Sequence, residues 1–420
     1  MQIGLFEPKD VLTYKKEDDS LVETRPLKVL SLFSGCGGFD LGFIGGFKFR
    51  QFEFEKNNFE VVFANDIEKN AVKVYDANDK YLKHSAVLND VREIDDKEFP
   101  EFDIMLAGFP CQPFSSAGNR KGIEDENGRG TLFYECERII KSSIAKGHRP
   151  KGFVFENVRG ILSSKMHDGT SIPNEIVKKM DKMGYKTVYK LLKSSDYGVP
   201  ENRFRVIFIG VDKKYPAFDF DLLNTIVRAY NLPTAETNPY ELYLGSILSD
   251  IPEDAPQRHD YWKFSPSGQY MIDKIEPCVD GEEVLEQFRK KIPVQKISET
   301  IQKGRSWKNM NPDEMPERFR KIWDNPKKYR APNFYRRFAL GEICGTIIAS
   351  GQPENSGITH TFENRRFSIR EIARIQSFPD DFVFPYSSIP HAYKVIGNAV
   401  PPVMAWVLAK ALEYYFENQN

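Results

Sequence analysis

The stretch 28-KVLSLFSGCGG-38 decides how this chain is read. Lys28–Phe33 is a short apolar run of strand length, and Gly35, Cys36, Gly37 and Gly38 break it before a second apolar stretch begins. Glycines let the backbone turn sharply and let a ligand approach the main chain at the head of a helix. Strand, tight turn and helix is the reading. An ordinary strand–helix connection would look the same, since short glycine motifs match by chance.

Outward from that stretch the scheme repeats. EVVFAND (Glu60–Asp66) is a β-branched run ending in a carboxylate, followed by the helical-looking IEKNAVKVYDAN. DIMLAG (Asp103–Gly108), GFVFEN (Gly152–Asn157) and RVIFIGV (Arg205–Val211) read as three more buried strands. Helix-like segments such as TLFYECERIIKSSIAK (Thr131–Lys146) separate most of them. Alternating strands and helices imply an α/β fold with a mostly parallel sheet covered on both faces. After about Tyr215 the rhythm stops, and residues 216–340 are irregular, aromatic and rich in Pro, Lys and Arg. Such a shift marks a second domain. The expected division is a large domain over 1–215, completed by a C-terminal segment over 391–420, and a smaller one over 216–390. Order returns in SIREIARIQSF (Ser368–Phe378), a helix capped by Ser368, and in MAWVLAKALEYYFE (Met404–Glu417), an amphipathic helix after Pro401 and Pro402.

At 420 residues, 40% apolar and 28% charged, the chain has the composition of a soluble globular protein. No run nears the roughly 18 consecutive apolar residues of a membrane span. Met1 to Asp19 mixes lysines and acids, so neither a secretory signal nor an extracellular setting is expected, and a cytoplasmic protein follows. Five scattered cysteines (Cys36, Cys111, Cys136, Cys278, Cys344) form no C-x-x-C pair, so neither a disulfide framework nor a metal site is expected. Net charge is only −1, yet Gln287–Arg337 carries 15 Lys/Arg against 5 Asp/Glu, a local +10. Trp307, Trp323, Tyr329 and Tyr335 interleave with those cations. A basic face of this kind can hold a phosphate backbone whatever the global balance, although a charge run is commonly just a solvated surface.

Chemistry concentrates at the ends of the expected strands. Asp66 and Asp90 are acids at successive strand tips, placed to meet ribose hydroxyls or an adenine amino group in an open α/β crevice, or simply to face water. The third strand delivers Gly108, Phe109, Pro110, Cys111, Gln112, Pro113, Phe114 and Ser115, two prolines stiffening the backbone around one thiol. Glu156 ends the fourth strand, and Arg203 and Arg205 feed the fifth. A packed thiol and a structural Glu156–Arg205 ion pair would account for these residues singly. Their joint occurrence in this order is harder to dismiss.

In that order the chain resembles the cytosine-C5 DNA methyltransferase family, of the prokaryotic restriction–modification type, over nearly all its length except the middle. The matching blocks are Leu32–Gly38, Gly108–Ser115, Glu156–Val158, Val199–Arg205, Arg370–Pro379 and Ile396–Pro402. Two positions depart from the pattern: Glu201 stands where the arginine block usually opens with Gln, and Asp66 where Glu is frequent. The resemblance implies a Rossmann-like S-adenosylmethionine-dependent methyltransferase domain with a smaller, irregular target-recognition domain. It implies S-adenosylmethionine as cofactor, held by Phe33, Gly35, Gly37 and Gly38 on the first turn. Asp66, Ile67, Asp90, Val91 and Pro110 would add contacts from later strand ends, and Asn398 and Val400 from the last block. Double-stranded DNA would be the partner, read by the basic middle region, with a cognate restriction endonuclease possible.

The residue types suit that chemistry. Thiolate attack on carbon 6 of cytosine breaks ring aromaticity and loads electron density onto carbon 5, so Cys111 is the expected nucleophile. A partly desolvated carboxyl such as Glu156 would meet ring N3, and Arg205, supported by Arg203, would hold O2 and orient Glu156. The base must leave the stack to be reached, at roughly a few kcal/mol, and the polar, Gly-rich Ser115–Gly130 segment suits a closing loop. Two other readings stay open: an RNA-directed enzyme acting on transfer RNA, and a non-catalytic DNA-binding relative.

Overall fold

A computed structural model describes residues 25–110, 132–166, 169–276, 281–292, 304–325, 335–350 and 358–419. Seven strands make one sheet: β1 (Leu27–Leu32), β2 (Phe59–Asp66), β3 (Val87–Leu88), β4 (Ile104–Ala107), β5 (Gly152–Val158), β6 (Tyr185–Lys193) and β7 (Phe204–Asp212). Their spatial order is β3-β2-β1-β4-β5-β7-β6. Strands β3, β2, β1, β4 and β5 pair in parallel. Strand β7 runs antiparallel to both β5 and β6. This is the expected α/β class with a parallel-dominated sheet. The reversed β7 and the edge strand β6 go beyond that expectation: Tyr185–Lys193 carries Lys186, Lys190 and Lys193 and is mostly half-exposed or exposed, so it offers neither a buried apolar run nor a regular alternation.

Alternation along the strands builds a core on each face. Val29, Val61, Ile104, Leu106, Val154, Ile207 and Ile209 face one side. Leu30, Phe63, Met105, Ala107, Phe153, Phe155 and Phe208 face the other. The helices Leu132–Ala145 and Ile172–Lys182 cover the second face, and the C-terminal helix Pro402–Glu417 covers the first. That last helix is not amphipathic as expected: Pro402 to Phe416 is buried on every side. A helix apolar all round belongs in the interior. By length and composition Ile389–Glu417 would suit a membrane span, but nearly all of it lies inside the fold. Gly42 allows this, since a Cβ there would sit 2.3 Å from the Ala405 Cβ.

The region after Tyr215 divides by packing. The helices Asp221–Ala229 and Leu244–Ser249 join the core of the first sheet face, as does Ile369–Ile375, which Ser368 caps in a capping box with Glu371. A separate cluster gathers Met271, Ile272, Ile275, Trp307, Met310, Met315, Phe319 and Tyr335.

Candidate active site

A cavity of about 1000 Å³ opens at the carboxyl ends of the parallel strands. Open parallel sheets present their loops there, and ligands bind in the resulting crevice. Its wall is assembled from Phe33 and Gly35 after β1, Asp66 and Ile67 after β2, and Asp90 and Val91 after β3. Phe109 and Pro110 follow β4, Glu156 and Asn157 end β5, Arg205 starts β7, and Asn398 and Val400 complete the ring. Eleven of the fifteen residues singled out from sequence therefore meet in one cavity. Cys111, next in the chain after Pro110, lies outside the described residues, as do Gln112–Gly130.

The turn after β1 is conformationally special. Phe33, a non-glycine, adopts φ 56°, and Gly35 and Gly37 adopt φ 58° and 84°. Side chains other than glycine pay for left-handed backbone, and such strain gathers at ligand sites. A Cβ at Gly35 would meet nothing within 4 Å, so that main chain faces open space. Gly37 and Gly38 do not line the cavity. A Cβ at Gly37 would press on Leu82 and Tyr75, and one at Gly38 would lie 2.4 Å from the Val400 carbonyl. They let the turn pack against its neighbours.

Asp66 braces the turn. One carboxylate oxygen accepts from the Gly35 N–H at 2.8 Å and the other from the Glu68 N–H at 2.8 Å. Burial raises its pKa, opposed by those two hydrogen bonds. Asp90 is gripped by Arg92 through backbone and guanidinium, which lowers its pKa. Ile67 is 65% exposed although it lines the cavity. An apolar side chain left uncovered at the lip offers a surface to a planar ligand. Volume, a glycine whose Cα faces open space, acids at strand tips and an uncovered apolar lip all suit a nucleoside-bearing ligand of ordinary pocket size.

The carboxylate of Glu156 lies 2.6 Å from Arg205 Nε, both side chains nearly buried. The N–H points off the line between them, so the contact is ionic rather than a directed hydrogen bond. Topology explains the meeting. Because β7 is reversed, its first residues stand at the carboxyl end of β5; Ile207 pairs with Glu156, and Arg205, two residues back, shares that face. Glu156 Oε2 sits over Gly108, 3.6 Å from where a Cβ would be.

Arg203 is placed otherwise than expected. It is fully buried and does not line the cavity; its guanidinium donates to the carbonyls of Ile347 at 2.9 Å and of Gly397 and Ala399 at 3.0 Å each. Sequence does not tell the two arginines apart: Arg205 lies within β7 beside Glu156, while Arg203 sits just before it, where the Glu201–Asn202 pairing with Cys344–Gly345 brings the Ile347 carbonyl within reach. Four further lining residues were missed. Asn65 donates to the Val87 and Asn89 carbonyls, holding the short β3 in place. Asn157 donates to the Phe109 carbonyl at 3.3 Å, bracing the segment that leads to Cys111. Glu68 and Lys394 pair across the cavity, 326 positions apart. Asn157 was quoted with Glu156 but given no role; Lys394 stands two residues before the last matching block, and no local pattern marks it.

The basic segment is less free than its composition suggests. Arg337 is buried and donates to the carbonyls of Ile272, Ile275, His360 and Glu363. Trp307 and Tyr335 belong to the separate apolar cluster, while Trp323 is 37% exposed. Arg289, Arg305, Arg320, Lys321 and Arg336 each meet a carboxylate. Lys327, Lys328, Tyr329 and Arg330 lie outside the described residues. The described thiols Cys36, Cys136 and Cys344 are buried, and burial raises their pKa values, that of Cys36 to about 12.

Residues 27–414 match the model of C-5 cytosine-specific DNA methylases. The chain belongs to that family. It is accordingly a DNA cytosine-5-methyltransferase. It is 32% identical to the type II methyltransferase M.FnuDI of Fusobacterium nucleatum, over 92% of this chain and 94% of that one. It is 31% identical to M.NgoPII of Neisseria gonorrhoeae, over 96% and 99%. Among solved structures, a DNA modification methyltransferase encoded within an Escherichia coli prophage superposes with TM-score 0.55 at 21% identity, covering 93% of this chain and 99% of the other. Schizosaccharomyces pombe Dnmt2 methyltransferase gives 0.55 at 17%, covering 94% and 99%. At such identities these two speak to the fold.

Proposed function

We propose that this methyltransferase transfers a methyl group from S-adenosylmethionine to carbon 5 of a flipped-out cytosine in a specific duplex sequence, through a transient Cys111–cytosine bond. We infer further that it belongs to a type II restriction–modification system in the cytoplasm, its methyl marks protecting DNA from a cognate endonuclease. The observation that carries the reading is the Glu156–Arg205 pair standing in the same cavity as Asp66, Asp90 and Asn398.

When bound, S-adenosylmethionine supplies an electrophilic methyl group on a sulfonium. The Gly35 backbone, Asp66, Ile67, Asp90, Val91, Asn398 and Val400 are the residues that would hold it. Phe33 and Pro110 would close the wall between donor and base, and Gly37 and Gly38 would serve by packing. Cys111 would add its sulfur to carbon 6 of the base, and Glu156, carrying a proton, would donate to ring N3, where charge develops. Arg205 would orient Glu156 and donate to the base O2, contacts that are strengthened in a site closed to water. Once carbon 5 has taken the methyl group, a base such as water removes the carbon 5 proton, and the electron pair of that C–H bond restores the ring double bond and expels the Cys111 thiolate. Arg203 acts at one remove, through the backbone it grips. The surface around residues 216–390 would face the duplex, its exposed cations holding phosphates and a few side chains reading base edges.

Duplex DNA carrying 5-fluorocytosine tests the scheme, because fluorine cannot leave as a proton and the adduct should persist. A covalent complex mapped to Cys111 by mass spectrometry is expected with wild type and none with Cys111→Ala, which should retain cofactor binding. Turnover by Cys111→Ala, or an adduct elsewhere, would remove the assignment. Methylation of transfer RNA in place of DNA would overturn the substrate.

A further inference from the structure

Beneath the cavity floor three distant segments meet at one buried carboxyl. Glu201 and Asn202 pair in parallel with Cys344 and Gly345. Glu201 is wholly buried, and its Oε1 accepts from the Ile347 N–H at 2.5 Å and stands 3.8 Å from Arg203. Arg203 in turn grips the carbonyls of Ile347, Gly397 and Ala399. Packing there is tight: a Cβ on Gly397 would come within 2.5 Å of the Ile348 backbone. Two atoms of this junction are left over. Glu201 Oε2 and Arg203 Nε are buried without a hydrogen-bond partner among the described residues.

The Glu201–Arg203 pair stands between two walls of the cavity. One is the turn Asn398–Val400; the other is Arg205, two residues after Arg203 and in contact with Glu156. We propose that Glu201 is a positioning residue for methyl transfer, its carboxylate holding Arg203 so that the Gly397–Ala399 turn and the Arg205–Glu156 pair keep their places. The inference rests on the roles given above to Arg205 and Glu156.

The charge on Glu201 is not fixed. Burial pushes its pKa up to about 7, opposed by Arg203, by the Ile347 N–H and by Arg205. Arg203, lowered by burial to about 10, stays cationic at neutral pH. Among described residues the other ionisable group facing Glu201 is Cys344 on the paired strand, whose thiol burial keeps protonated; Glu156 acts on the junction through the two arginines. Near neutrality, then, Glu201 exchanges a proton with solvent conditions. Ionised, it balances the buried guanidinium. Protonated, it leaves that cation without its countercharge, and the grip on the three carbonyls loosens.

The test compares wild type with Glu201→Gln, which keeps the amide-accepting oxygen but is neutral at every pH. Turnover of the two on duplex DNA should agree at about pH 6, and the ratio should rise to about 3–10-fold in favour of wild type by about pH 8.5. Glu201→Asp, which restores the carboxylate, should restore the rising limb and keeps the test usable if the glutamine variant fails to fold. A wild-type to Glu201→Gln ratio that is flat with pH, or an aspartate variant without the rising limb, overturns the proposal. If instead Arg205→Ala leaves wild-type turnover untouched, the roles of Arg205 and Glu156 have failed, a result separable from the pH comparison.

Discussion

Replacing Arg203 by Met is expected to destabilise the fold strongly and to weaken cofactor binding without touching the reacting atoms. The side chain is fully buried and donates to three carbonyls at 2.9, 3.0 and 3.0 Å. Hydrogen bonds from a charged donor contribute about 1.5–3 kcal/mol each, and buried acceptors left unpaired cost about 1–3 kcal/mol apiece. These overlap and do not add. Breaking a buried ion pair by removing one member costs about 3–5 kcal/mol, and protonation of Glu201 moderates the charge left behind. A loss of about 4 kcal/mol follows, which at about 1 °C per kcal/mol for a chain of 420 residues lowers Tm by about 4–5 °C. Met fills the volume, so a cavity is not the cause. Arg203→Lys keeps the charge but loses the fork, and should lose about half as much. Thermal melts of the three proteins, with S-adenosylmethionine titrations below the melting range, measure both effects. Cofactor Kd should rise because the released Gly397 and Ala399 carbonyls flank Asn398. A Tm within about 1 °C of wild type and an unchanged Kd would show that this buried fork does not hold the cavity floor.

Asp40 gives a pH-dependent stability. It is buried, accepts from Ser31 and Tyr75, and has its pKa raised by burial to about 6 from 3.8. The folded state therefore binds this proton more tightly than the unfolded one; the stabilisation is full below about pH 4 and is lost as pH rises through 6. Relative to Asp40→Asn, wild type should lose about 3 kcal/mol between about pH 4 and 7, read from urea unfolding; a difference constant with pH would refute it. Lys394→Ala breaks the Glu68–Lys394 link across the cavity. Both side chains are part-exposed, so a loss in cofactor affinity of no more than about 5-fold is expected, fading at high salt. Undiminished affinity at low ionic strength would mean that the link does not close the cavity.

Local chain chemistry made the sheet and much of the cavity legible. A strand that ends in Phe33 or Asp66 and breaks at glycine carries its own boundary, because apolar alternation and backbone freedom are properties of neighbouring residues. Cavity position follows almost automatically, since parallel strands bring all their carboxyl ends to one edge. Tertiary structure decided what adjacent residues cannot. Gly37 and Gly38 resemble Gly35 in sequence, yet their missing Cβ atoms make room for Leu82, Tyr75 and the Val400 carbonyl, contacts set by chain 38 to 362 residues away. Arg203 and Arg205 differ in fate because Arg205 lies in β7 opposite the end of β5, where it meets Glu156, whereas Arg203 precedes β7 and is drawn to the carbonyls of Ile347, Gly397 and Ala399, segments far away in the chain. Trp307, Tyr335 and Arg337 lie in a segment whose composition suggests an open basic face, and packing took them inside. Sequence composition counts charges and rings without saying which way they point; direction is fixed only when distant segments pack and each buried donor must find its acceptor.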